Sequence, residues 1–181
     1  MKNKLKTTAL IAAIMLISFS FREETMLERK DTMIKAWERA KAYTKEYLDA
    51  ATQEVYDFKP TPEMRSFAEQ MQHLAVDNYK IVKEATAGVT TISNYKDIEK
   101  TPLKGKAEIT DAVMESYDFA IVTIKNLDEA KWNISVKMFN RWETTVEDGL
   151  AKAFEHQTHH RGQTTVYLRL KGIKPPSEKL F

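Results

Sequence analysis

Apolar positions recur at helical spacing through four long stretches of the chain. From about Thr25 to Ala51, Met26, Met33, Trp37, Ala40, Tyr43 and Tyr47 follow one another at steps of three, four or seven residues, which draws an apolar stripe along one helix face. A second stretch, Pro62 to about Ala87, turns Met64, Phe67, Met71, Leu74, Ala75 and Ile81 inward. Thr61 followed by Pro62 predicts its N-cap and first helical residue, and Gly88 its close. The third spans roughly Ala107 to Leu127 with Ile109, Val113, Tyr117, Ala120, Ile121 and Ile124 on one stripe. The fourth runs from about Thr145 to Leu170 and ends at Gly172, ahead of Pro175 and Pro176.

The connections differ in character. VTTISNYKDIEKTPLKGKA, between the second and third stretches, is longer than a helix hairpin needs and lets the chain cross the end of a bundle. WNISVKMF, inside the segment from Asp128 to Thr145, alternates and predicts an irregular or briefly extended piece. Four helices, each apolar on one side, are best satisfied by an all-α four-helix bundle, with an irregular all-α domain as the alternative. A length of 181 residues, 43% of them apolar, suits one domain, and only 5 Gly and 5 Pro argue against a many-turned β architecture. Charged runs such as LERKD and AKAYTKEY read as solvated helix faces.

Residues 1–20 stand apart from this pattern. Lys2, Lys4 and Lys6 precede an uncharged apolar run of 15 residues, after which charges resume at Arg22. This is the pattern of a signal peptide, with Ser18 and Ser20 placed for a cut after Ser20. The run falls short of the ~20 apolar residues of a membrane-spanning helix. The expected mature domain is therefore 21–181, exported to the periplasm or secreted. Without those three lysines, 28 basic and 26 acidic residues become 25 against 26. No basic excess remains to suggest nucleic-acid binding. The absence of cysteine removes disulfides, thiolate nucleophiles, cysteine metal ligands and lipid attachment at the leader.

Three of the four histidines lie in HQTHHRGQ on the fourth helix, and His73 lies in the middle of the second. His156 and His160, at i and i+4, are about 40° apart around the axis and ~6 Å apart along it, so both rings can reach one point. Two imidazoles hold a divalent ion poorly, and His73 is the third ligand that a facing helix in a bundle would supply. Three neutral imidazoles leave coordination positions open for water or substrate. An ion there would act as a Lewis acid or lower the pKa of bound water. His159 points away from the pair and reads as a supporting or packing group. Asp77 and Glu69, one turn on either side of His73, are the candidates to orient an imidazole or take a proton, and Gln163 could do the same.

The stretches YDFKPTPEMRSFAEQMQHLA and WETTVEDGLAKAFEHQTHHRGQ give the chain a resemblance to the DinB/YfiT-like family, covering about Thr25 to the C-terminus. The resemblance implies an up-down-down-up bundle and a divalent metal, zinc or nickel, on the residues matching His73, His156 and His160. It also implies the homodimers common among similar proteins. Some similar proteins are thiol S-transferases using bacillithiol or mycothiol, and others carry out metal-assisted hydrolysis or isomerisation of small molecules. The leader sets this chain apart. Those thiols are cytoplasmic, so an exported copy favours water as nucleophile, giving hydrolysis or group transfer on a small molecule. The alternative is a non-catalytic protein of the cell envelope that binds metal or a small ligand under stress.

Overall fold

The computed structural model describes residues 27–87, 89 and 103–180. The leader expected over residues 1–20 lies outside them, as does most of the long second connection. Helix α1 covers 27–50, and short α2 follows at Gln53–Asp57. Then come α3 (Phe67–Ala85), α4 (Gly105–Asn126), a 3-10 turn (Glu129–Lys131), an antiparallel hairpin of β1 (Ser135–Met138) and β2 (Trp142–Thr145), and α5 (Val146–Leu170). No helix of the described residues is long and apolar enough to cross a membrane.

Side-chain pairs give the direction of each long helix. Gln70 meets Gln163 and a Cβ on Gly149 would meet Ala85, so α3 and α5 run antiparallel. The Leu103 N–H reaches Gln72 just ahead of α4, Asn78 donates to Ser116 and Tyr79 packs on Phe119 further along, so α3 and α4 run parallel. Arg29 pairs with Glu147 and Tyr47 with Thr165, which makes α1 parallel to α5. The helices are thus ordered up-down-down-up.

The stripes of α1 and α4 face the core as their spacing predicts: Trp37, Ala40, Tyr43 and Tyr47 are buried, as are Ile109, Val113, Tyr117, Ala120, Ile121 and Ile124. Trp37 packs edge-on against Tyr117 at 5.8 Å and Phe154 at 5.6 Å, geometry worth about 1 kcal/mol per pair beyond area burial. Not every polar position of the charged runs faces water. Lys30 is buried, donating to the Leu127 carbonyl at 2.7 Å and to Glu129 at 2.6 Å, a cation at the exposed-carbonyl end of α4.

Helix α3 begins five residues later than Pro62. Ser66 accepts from the Glu69 N–H while the Glu69 carboxylate accepts from the Ser66 N–H, and this reciprocal cap fixes Phe67 as the first helical residue. Pro62 and Met64 belong to the preceding turns, and Met64 is 37% exposed instead of buried. The alternating segment before α5 forms the hairpin, with Val136 and Met138 turned inward. Gly149 permits its close seating: a Cβ there would lie 2.7 Å from Ala85 Cβ and 3.0 Å from Met138 Sδ. Thr145 caps α5 by accepting from the Asp148 N–H, and Gly172 ends it in the left-handed region that favours glycine.

Candidate metal centre

The antiparallel meeting of α3 and α5 gathers three imidazoles. Ring centroids lie 4.4 Å apart for His73 and His160, 4.4 Å for His156 and His160, and 5.4 Å for His73 and His156. One nitrogen from each ring falls within 4.8 Å of the others. His160 is buried, whereas His73 and His156 keep partial access to solvent, so the cluster is supported from within and open on one side.

The hydrogen bonds around the rings assign their nitrogens. His160 Nδ1 lies 3.0 Å from Gln70 Oε1, an acceptor only, so Nδ1 carries the proton and Nε2 keeps its lone pair. Gln70 in turn donates through Nε2 to Gln163 Oε1 at 2.9 Å, and Gln163 Nε2 reaches His159 Nε2 at 3.0 Å. The chain His160–Gln70–Gln163–His159 therefore ties the buried ring to both helices. His156 Nε2 lies 3.0 Å from Asp77 Oδ2, and His73 Nε2 lies 3.5 Å from the same oxygen. His156 Nδ1 is buried with no hydrogen-bond partner. A buried polar atom without a partner is costly, and an imidazole lone pair is what a divalent cation would satisfy. The donor set fits such an ion.

Electrostatics agree with that reading. Burial lowers the His73 pKa, outweighing the raising field of Asp77. Burial, followed by the fields of His156 and His73, lowers that of His160 to about 4. Rings held neutral at physiological pH are available as ligands without first losing a proton. Burial alone would raise the Asp77 pKa, but the hydrogen bond from His156 and the nearby imidazoles bring it below its usual value, keeping the carboxylate ionised.

Of the carboxylates singled out in the sequence, Asp77 joins the histidines and Glu69 does not. Glu69 is committed to the Ser66 cap and to Lys59, 2.9 Å from its carboxylate. Gln163 supports the site through Gln70, a residue that sequence reasoning missed. Its only signal was a place one turn before His73, and glutamine is too common on helices for that to stand out.

A cavity of about 650 Å³ adjoins His156 and His159, with hairpin residues Met138, Phe139 and Trp142 along one wall.

The model of the DinB superfamily matches residues 36–164, a span that holds all three clustered histidines and Asp77. No curated protein sequence matches the chain. Among solved structures, a DinB-like protein from Bacillus cereus ATCC 10987 is similar with a TM-score of 0.70 at 19% identity, covering 82% of this chain and 97% of its own. A member of the same family from Exiguobacterium sibiricum 255-15 gives 0.64 at 18% identity, with coverages of 84% and 97%. YfiT from Bacillus subtilis, described as a probable metal-dependent hydrolase with an unusual four-helix bundle topology, gives 0.59 at 18% identity, with coverages of 80% and 89%. At these identities the likeness speaks for the fold, and the sequence model for the lineage: the chain belongs to the DinB superfamily.

Proposed function

We propose that the chain is a metal-dependent enzyme that hydrolyses, or transfers a group from, a small molecule. His73, His156 and His160 hold the ion, zinc or nickel, and Asp77 serves as the proton acceptor. The observation that carries this reading is the arrangement around His156, where a buried Nδ1 without a partner and an ionised carboxylate share one imidazole in a half-open cluster. A divalent ion bound there supplies Lewis-acid polarisation of the substrate and makes water a better nucleophile at neutral pH. The protein's part is orientation and proton handling. Gln70 fixes the tautomer of His160, Asp77 fixes the ring of His156, and the ionised Asp77 carboxylate can take a proton released by the nucleophile. The description of YfiT as a probable metal-dependent hydrolase points the same way.

We further propose that residues 1–20 direct export, which would part the enzyme from cytoplasmic thiols and leave water as nucleophile. N-terminal sequencing of the mature protein from cell fractions tests this, and a cytoplasmic chain retaining Met1 would contradict it.

The catalytic reading is tested by loading the purified chain with zinc or nickel and assaying ester, amide and thiol-transfer substrates beside Asp77→Asn. Turnover that needs the metal and falls by about 10²- to 10⁴-fold in the variant at saturating metal is expected. Stoichiometric retention of a ligand without product would favour a binding protein instead.

A further inference from the structure

The hairpin between α4 and α5 presents two large aromatic side chains to solvent. Phe139 is 45% and Trp142 is 55% exposed, although Val136 and Met138 on the same hairpin are buried. The two rings meet edge to face at 6.2 Å, and the Arg141 guanidinium lies 4.8 Å from the indole centroid. This cation steadies one side of the indole.

The backbone makes the presentation specific. Phe139 and Asn140 have φ of 52° and 54°, in the left-handed region. Asparagine tolerates that region, whereas an aromatic residue is sterically disfavoured there. The tip is held by two bonds: the Phe139 N–H donates to Glu84 Oε2 at 2.7 Å and the Arg141 N–H to the Met138 carbonyl at 3.0 Å. A disfavoured residue fixed so that its ring stays exposed calls for a use outside the fold.

That use is supplied by what the hairpin faces. The cavity of about 650 Å³ is bounded by Ile81 of α3, by Met138, Phe139 and Trp142, and by His156 and His159 of α5. Its volume lies within the range of small-molecule sites, and one wall is a proposed metal ligand. At its edge Lys152 pairs with Glu155 at 2.8 Å and Glu143 adds a further carboxylate. That edge disfavours an anionic arm.

We propose that this cavity binds the flat, uncharged, aromatic or similarly apolar arm of the substrate, gripped by Phe139 and Trp142 while its reactive end reaches the three-imidazole cluster. The inference deepens the proposed function and rests on it for what the arm is attached to. Phe139 and Trp142 are binding residues in this scheme, with no part in the bond-breaking step.

The test uses the zinc-loaded full chain and a series of hydroxamates, which anchor on metal and differ only in the arm. Acetohydroxamate, 2-naphthohydroxamate and a carboxylated naphthohydroxamate are titrated by calorimetry into the wild type and into a Phe139→Asn, Trp142→Thr double variant. Asparagine suits the left-handed φ and threonine suits a strand, so the hairpin is preserved, and circular dichroism with zinc content confirms an intact fold. The naphthyl arm is expected to tighten binding by about 10- to 100-fold in the wild type. The carboxylate should forfeit most of that gain, and the variant should lose it while binding acetohydroxamate unchanged. An equal gain in the variant, or no gain in the wild type, overturns the inference even if acetohydroxamate binds and the metal reading stands. Failure of every hydroxamate to bind zinc-treated protein counts against the metal reading instead. The cavity is then judged with 2-naphthol: saturable binding lost in the double variant upholds it, and no saturable binding overturns it.

Discussion

The same two turns of α5 carry polar residues on two faces about 100° apart, and the two sides are finished differently. Gln157 and Arg161 point into the bundle. Arg161 Nη1 donates to Gln157 Oε1 at 2.9 Å, Tyr117 donates to the same oxygen at 2.7 Å, Thr44 lies 2.7 Å from the Tyr117 hydroxyl, and the guanidinium sits 4.7 Å from the Tyr43 centroid. His156 and His160, one position earlier in each case, point toward α3, where His156 Nδ1 stays without a partner and the cluster opens to solvent. A closed network holds helices together. An open imidazole nitrogen beside two other rings has the chemistry of a ligand, which the equally unpartnered indole N–H groups of Trp37 and Trp132 do not. Position along a helix does not separate structural from candidate functional polar groups; the chemistry and company of the unpartnered atom do.

Changes to each side should therefore act on different quantities. The largest effect is expected from Arg161→Ala, which removes a buried cation's hydrogen bonds and its packing over Tyr43. It should destabilise the fold by about 3 kcal/mol in urea unfolding while metal stoichiometry is unchanged. Metal loss at that position would erase the distinction between the two sides. Gln70→Leu comes next, from the other side. Freeing His160 Nδ1 should weaken metal binding by about 10- to 100-fold in competition with a chelator. Tyr117→Phe should cost about 1–2 kcal/mol of stability, because Gln157 Oε1 still accepts from Arg161, and should leave metal affinity alone.

A separate effect concerns acid. The His160 pKa, near 4 in the fold against an ordinary 6.5, means that the unfolded chain binds the proton more readily. The stability of the neutral ring is therefore fully present above about pH 6.5 and declines as the pH falls toward 4. The Tm of metal-free protein should fall through that window, and His160→Gln should flatten the decline.

Much of this division was visible in the sequence, for physical reasons that also explain what was not. Stripes such as Trp37–Ala40–Tyr43–Tyr47 repeat, and periodicity survives any local detail. His73, His156 and His160 stood out because the residue type is scarce and the i, i+4 spacing carries geometry. The start of α3 was misplaced because two signals competed: proline at 62 fits a first turn, but the Ser66–Glu69 capping box satisfies two backbone donors and prevails. Glu69 was drawn toward the site by the same spacing as Asp77, and only the cap shows where its carboxylate is spent. Gln70, Gln157 and Arg161 had no legible signal, since their roles depend on partners far away in sequence, such as Tyr117 and Gln163. The hairpin was half legible: alternation marked an extended piece, but not the aromatic tip that lines the cavity.

The most direct test of the metal centre is elemental analysis of the chain, purified without a histidine tag, beside a His156→Ala, His160→Ala double variant. About one equivalent of zinc or nickel is predicted in the wild type and little in the variant, with Arg161 and its network intact in both. No metal in either protein, even after incubation with zinc and nickel, would contradict the central claim and leave the imidazole cluster as packing between α3 and α5.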